Sequence, residues 1–159
     1  MTRLYGRAPR GQRVTAEIPG GRWKTWTMLS AINADGRMPT MVFEGGTDVV
    51  AMMAFVDHIL LPELKSGDIV VMDNLSAHKS PSVTQRIESV GAKAWFLPTY
   101  SPDLNPIEQI WAKVKSLLKQ FAARTDKQLM TAIGKPIQAV TQDDIFNSIA
   151  HGGYVNTIT

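Results

Sequence analysis

The chain of 159 residues contains no cysteine. A disulfide framework and a thiolate metal site are therefore both excluded, and a reducing cytosol is compatible with the composition. No apolar run approaches the eighteen or so residues needed to cross a bilayer. The basic, polar start is followed by no apolar segment of signal-peptide type, so neither a membrane protein nor a secreted one is expected. Internal repeats, low-complexity tracts and an interdomain linker are also missing. What remains is 44% apolar residues, enough for a packed core, in a length that suits one domain spanning residues 1–159.

Net charge is small as well, only +3, but it is unevenly placed. Arg3, Arg7, Arg10 and Arg13 crowd the first segment, and Lys113, Lys115 and Lys119 crowd a later helical pattern. Such clusters suit contacts with phosphate groups. The plainer alternative is a solvated basic tail and a solvated helix face.

The pattern of elements begins with strands. Met1 to Arg13 reads as a loop punctuated by Gly6, Pro9 and Gly11. Gln12 to Ile18 alternates loosely enough for a strand. Arg22 to Asn33 and Arg37 to Glu44 have strand composition, and Asp35-Gly36 between them marks a tight hairpin turn. A helix follows Asp48, with Val49, Met52, Met53, Val56, Ile59 and Leu60 at helical spacing and Pro62 beyond.

Ile69 to Met72 is a continuous apolar run of the kind that forms a strand buried on both faces. Ser80-Pro81 opens a helix with its stripe at Val83, Ile87 and Val90, stopped by Gly91. Ala92 to Leu97 is a further strand. Asn105-Pro106 opens the clearest helix, with Ile107, Ile110, Trp111, Val114, Leu117, Leu118 and Phe121 on one face. Thr125 with Gln128 fits a capping box, in a helix that Gly134 and Pro136 should break or bend. Thr141 with Asp144 suggests a last short helix before Gly152-Gly153.

Two carboxylates stand out in this order. Asp73 ends the apolar run and Glu108 falls in the first turn of the later helix, with thirty-four residues between them. Ligands of open α/β sheets bind at the carboxyl ends of strands, where Asp73 lies. Carboxylates so placed can hold the two divalent metals of a phosphoryl-transfer site. Each also has an ordinary reading. Asp73-Asn74 after a strand is good turn chemistry. Asn105 with Glu108 three residues on resembles a capping box. Asn74, Ser76, His78 and Lys79 supply donors and cations near Asp73. His78 is either a polar turn residue or a contact for phosphate or metal-bound water. Asp103 suits a turn, Asp35 belongs to the hairpin, and none of Asp48, Asp57 or Asp68 sits where a strand presents it beside Asp73. Trp23 and Trp26, with Arg22 and Lys24, offer a stacking surface for bases, although strand tryptophans and Trp111 are better read as core.

Met72-Asp73-Asn74-Leu75-Ser76-Ala77-His78-Lys79 and Phe96-Leu97-Pro98-Thr99-Tyr100-Ser101-Pro102-Asp103-Leu104-Asn105-Pro106-Ile107-Glu108, at that separation, resemble the catalytic domain of DDE transposases. The resemblance is to the mariner superfamily in its bacterial insertion-sequence branch, and it covers nearly the whole chain. It implies a ribonuclease-H-like α/β fold, an antiparallel meander followed by alternating helices and strands. It also implies a further catalytic Asp on a central strand upstream of the segment matched by Thr2 to Arg7. This chain is expected to lack that strand and its Asp, and the amino-terminal helix-turn-helix region by which such enzymes recognise terminal repeats.

By that resemblance, Asp73 and Glu108 are two of three carboxylates that hold two Mg²⁺ or Mn²⁺ ions for nicking and joining DNA. Arg3, Arg7, Arg10, Arg13, Asn74, His78, Lys79, Lys115 and Lys119 are the implied DNA contacts. The partners are double-stranded DNA, as transposon ends and target, and an upstream transposase fragment or full-length transposase. The target in related elements is often a TA step, which unstacks easily. The implied location is the cytoplasm, with the nucleoid. Three functions follow as expectations: the carboxyl-terminal part of a transposase, inactive by itself; a dead remnant that only binds DNA or pairs with intact enzyme; or a nuclease without strand transfer.

Overall fold

A computed structural model describes residues 6–15, 24–121, 123 and 125–154. Among these residues, four short strands and five α-helices make an α/β architecture. The strands are β1 (Trp26–Ser30), β2 (Thr40–Glu44), β3 (Ile69–Met72) and β4 (Lys93–Phe96). The helices are α1 (Val49–Phe55), α2 (Pro81–Glu88), α3 (Pro106–Phe121), α4 (Asp126–Gln138) and α5 (Gln142–His151). The strands form two separate two-stranded sheets. β1 and β2 pair antiparallel, with Trp26 opposite Glu44 and Ser30 opposite Thr40. β3 and β4 pair parallel, with Ile69 opposite Lys93 and Met72 opposite Phe96.

The hairpin of β1 and β2 is longer than a two-residue turn. Its ladder continues past the strands through Ala31 N–H to Pro39 C=O and Asn33 N–H to Arg37 C=O, both 3.2 Å. The tip is a turn from Asn33 to Gly36, closed by the Gly36 N–H on the Asn33 C=O. Gly36 has φ +76°, a conformation that costs other residues energy. Of the expected strand at 12–18, residues 12–15 are irregular and the remainder lies outside the described residues, as do Arg3, Arg22 and Trp23.

The helix starts follow local chemistry. Asp48 caps α1 by accepting the Ala51 N–H at 2.8 Å. Thr141 and Asp144 form a reciprocal capping box on α5. Thr125 accepts the Gln128 N–H at the start of α4. Pro81 and Pro106 occupy first helical positions, where the missing N–H costs nothing. After α1 the chain continues as a wider π-helical turn, Val56–Leu60, and a 3₁₀ turn, Leu61–Glu63.

Gly134 and Pro136 do not break α4, which runs through both. Pro136 is fully buried, so tertiary packing outweighs the cost of the lost helical hydrogen bond. The expectation for β3 fails. β3 is not buried on both faces: Ile69 is 52% exposed and only Met72 is fully buried. Among the described residues β3 has a ladder neighbour on one side only, which leaves the start of the strand uncovered.

Two apolar clusters flank the β1–β2 hairpin. The first joins Met52, Phe55, Val56 and Leu60 to Met72, Val83 and Ile87, and takes Leu29, Ala31 and Met41 from the hairpin region. The second joins Ile110, Val114 and Leu118 of α3 to Ile133 of α4 and Ile145 of α5, and takes Met28, Ile32 and Val42. Met28 and Leu29 go to opposite clusters, as the two-residue period of a strand requires. The hairpin is thus a partition with apolar packing on each face. Each fully buried Val or Ile in these clusters contributes about 1.5–3 kcal/mol. No helix among the described residues is long and apolar enough to cross a membrane.

Candidate active site

Asp73 stands where the β3–β4 ladder ends. The ladder closes with the Leu97 N–H on the Met72 C=O at 2.8 Å. The Asn74 side-chain amide then donates to the Leu97 C=O, clipping the chain beyond β3 to the end of β4. Asn74, an implied DNA contact, therefore also holds the position of its neighbour. Asp73 Oδ1 accepts the Leu75 N–H at 3.0 Å and meets His78 Nδ1 at 2.7 Å. The first contact is the turn chemistry expected of an Asp after a strand. It orients the carboxylate without consuming it, since Oδ2 takes no hydrogen bond among the described residues. The Asp73 side chain is 50% exposed, whereas His78 is 16% exposed.

Glu108 is placed by a rigid approach. Pro102–Leu104 forms a 3₁₀ turn, and Pro106 starts α3. Just before it, Tyr100 has φ +59°, an uncommon conformation for a non-glycine residue, and its side chain is almost wholly exposed. The capping-box reading of Glu108 requires its carboxylate on the Asn105 N–H. That N–H donates instead to the Pro102 C=O at 3.0 Å. Among the described residues the Glu108 carboxylate has no hydrogen-bond or ion-pair partner, and it is exposed.

Asp73, His78 and Glu108 line one cleft of about 630 Å³ between the two sheets. Its walls include Met28 to Ile32 of the first sheet and Ile69 to Met72 of the second. Trp111, read from sequence as core, is half-buried and forms part of the same wall. Glu63 and Asp68 also line the cleft. Asp68 precedes β3, at the other end of the strand from Asp73, and its Oδ2 is held by the Lys65 N–H at 2.7 Å. Nothing in the sequence marks Glu63, an ordinary charge after Pro62. The His78–Asp73 contact was foreshadowed only by their closeness in sequence.

The donor chemistry suits a hard divalent cation: two carboxylates line one cavity, Glu108 without a partner and Asp73 with one oxygen on His78 and Leu75 and the other free of hydrogen bonds among the described residues. The set is incomplete, however. Among the described residues no three Asp, Glu, His or Cys side chains are close enough to hold one ion together.

The basic residues divide into two kinds. Arg7, Arg10, Arg13, Lys79, Lys115 and Lys119 are exposed or nearly so, and none is paired with a carboxylate among the described residues. Lys113 donates to Asp144 Oδ2 and so ties α3 to α5. That bond, with the Thr141 N–H, lowers the Asp144 pKa from 3.8 to about 2. Trp26 is half-buried, and its indole N–H points to Asp126 Oδ1 at 3.4 Å.

No curated protein matches this chain. Among solved structures, a chain of the simian T-cell lymphotropic virus intasome, determined by cryo-EM in complex with PP2A regulatory subunit B56 gamma, is similar at 14% identity and a TM-score of 0.49. The similarity covers 83% of this chain and 53% of that one, so this chain spans about half of its length. Residues 1–130 match the model of a family described as DDE superfamily endonuclease. That match contains both cleft carboxylates and the turn that orients the first of them, and the chain belongs to the DDE superfamily endonuclease family.

Proposed function

We propose that this chain is the carboxyl-terminal part of a DNA transposase of the mariner superfamily, bacterial insertion-sequence branch, with a ribonuclease-H-like fold. Its reaction is hydrolysis of a phosphodiester at a transposon end, followed by attack of the freed 3′-OH on target DNA. One observation carries the reading: Asp73 and Glu108, on separate elements, face the same cleft, and Glu108 has no structural partner among the described residues. Family membership supplies the reaction class, endonucleolytic cleavage.

Asp73 and Glu108 would hold Mg²⁺ or Mn²⁺, which when bound in pairs lower the charge barrier at the attacked phosphate. This chain's own residues perform the rest. The Asp73 carboxylate is aimed by the Leu75 N–H and by His78. Asn74 fixes the strand end that carries it. Arg7, Arg10, Arg13, Lys79, Lys115 and Lys119, which have no carboxylate partner among the described residues, contact phosphates of double-stranded DNA together with Arg3, without reading sequence. The location that follows is the bacterial cytoplasm.

A second reading has its own observation: among the described residues no three Asp, Glu, His or Cys side chains are close enough to hold one ion together. It makes the chain a non-catalytic module that binds DNA or pairs with intact transposase. An assay with purified chain, Mn²⁺ and a pre-nicked transposon end separates the two. Joining that requires Asp73 establishes the enzyme. DNA retention with no joining, before and after addition of an upstream transposase fragment, establishes the module and overturns the first reading.

A further inference from the structure

We propose that the end of α5 and the turn after it form a clamp that sets the position of Glu108, with Ser148 and Tyr154 as its positioning residues. The inference rests on the reading of Glu108 as a metal ligand and deepens it. The clamp itself lies beyond residues 1–130, where the family match ends.

The clamp begins with how α5 ends. The Gly152 N–H closes the last helical turn on the Ser148 C=O at 3.0 Å. Gly153 then takes φ +85°, a conformation open to glycine without steric cost. Its N–H reaches the Ala150 C=O, and the Tyr154 N–H reaches the Ile149 C=O, both at 3.1 Å. This pair of bonds around a left-handed glycine is a Schellman motif, which stops the helix and fixes the direction in which the chain leaves it. Tyr154 is thereby carried to the wall of the cleft that Glu108 also lines, together with Ile149.

From there the clamp grips the segment that carries Glu108. The Tyr154 hydroxyl donates at 3.0 Å to the C=O of Leu104, the last residue of the 3₁₀ turn. The Ser148 hydroxyl donates to the C=O of Pro106, the first residue of α3. Gln109 Nε2 lies 2.6 Å from His151 Nδ1. A Cβ at Gly152 would lie 3.0 Å from Pro106 Cγ, so the backbone there packs directly on the proline ring. The contacts thus fall on residues 104, 106 and 109, on both sides of Glu108.

Apolar packing through Ile145 and the Lys113–Asp144 pair already hold α5 against α3. Neither requires a polar group at Ser148, which is 2% exposed and the one buried polar residue among the described residues. A hydroxyl so buried costs free energy unless it is bonded, and its bond fixes the register of the first turn of α3. Glu108 has no partner of its own among the described residues, so its carboxylate goes where that turn places it. Misplacing a reacting group by about 1 Å can cost about a hundredfold in rate.

The test compares the full chain with Tyr154→Phe, which loses only the hydroxyl, and Ser148→Ala. Amide hydrogen exchange is followed by NMR without metal. The Asn105 and Glu108 N–H groups, bonded to the C=O groups of Pro102 and Asn105, report on the turn. Those of Met52 and Leu129, bonded to Asp48 and Thr125, report on helices elsewhere. Exchange should rise at least about fivefold at Asn105 and Glu108 in each variant and stay unchanged at Met52 and Leu129. Unchanged exchange at all four amides overturns the proposal. So does an equal rise at all four, which makes the contacts general supports of the fold. Calorimetric titration with Mn²⁺ then reads the carboxylate itself, with Asp73→Ala as the control that abolishes binding. Tyr154→Phe should weaken Mn²⁺ binding about tenfold with an unchanged urea midpoint. Full affinity in Tyr154→Phe overturns the positioning role. A parent chain that binds no Mn²⁺ refutes the metal reading of Asp73 and Glu108 instead, and the exchange result then decides the clamp.

Discussion

His78 Nδ1 lies 2.7 Å from Asp73 Oδ1, and that oxygen also accepts the Leu75 N–H. The pair fixes the carboxylate's rotamer and leaves its other oxygen without a hydrogen bond among the described residues. Partners behind a metal-binding carboxylate typically contribute about 10–100-fold to metal affinity. His78→Ala should therefore weaken Mn²⁺ binding by about tenfold in calorimetric titration, and His78→Asn, which keeps a donor near the Nδ1 position, should restore part of it. Equal Mn²⁺ affinity in all three proteins would remove His78 from any positioning role.

Glu108 has no structural partner among the described residues, so its removal should leave the fold intact. Glu108→Gln is expected to change unfolding free energy by no more than about 0.5 kcal/mol. The same change should abolish Mn²⁺ binding that depends on Asp73. A large loss of stability in urea titration would show that the carboxylate serves the helix start after all.

The cations with no carboxylate partner among the described residues should bind duplex DNA through phosphate neutralisation. Affinity then falls steeply with salt, with a log–log slope of about −0.9 for each phosphate contacted. Replacing Lys115 and Lys119 by Ala should flatten the slope by about 2, uniformly across DNA sequences. Lys113→Ala should affect the slope less, since Lys113 is engaged with Asp144. Filter binding from low to high salt measures this; salt-independent retention would contradict it.

Asp144 gives a pH prediction. Its pKa is depressed in the folded state to about 2 by Lys113 and the Thr141 N–H. A depressed carboxylate stabilises the fold above its unfolded pKa and loses that contribution as pH falls through the folded value. The window is thus from about pH 4 down to about pH 2. The side chain is 28% exposed, so solvent screening reduces the effect to about 1 kcal/mol. Lys113→Met should shrink the stability difference between pH 5 and pH 2.5 by about that amount in urea unfolding. An unchanged difference would mean that the pair contributes nothing.

Much of the local structure is legible from residues a turn apart. Asp48 with Ala51, Thr141 with Asp144, and the prolines at 81 and 106 announce their helices because cap and helix touch within four residues. The apolar stripe Ile110, Val114 and Leu118 needs only the helical period. Asp73 and Glu108 are visible as candidates for the same reason, since each ends or begins an element that its neighbours define.

Only the tertiary structure decided what lies beside those elements. The run Ile69 to Met72 has the composition of a fully buried strand, yet Ile69 is half-exposed and β3 pairs on one side only among the described residues, a fact about distant chain. Pro136 sits inside α4 because packing from other elements holds it there. The release of Glu108 from a capping role depends on where the Asn105 N–H finds its acceptor. Caps and periods are set by hydrogen bonds and side chains within one turn. Burial and the shared cleft are set by which remote segments come to lie alongside.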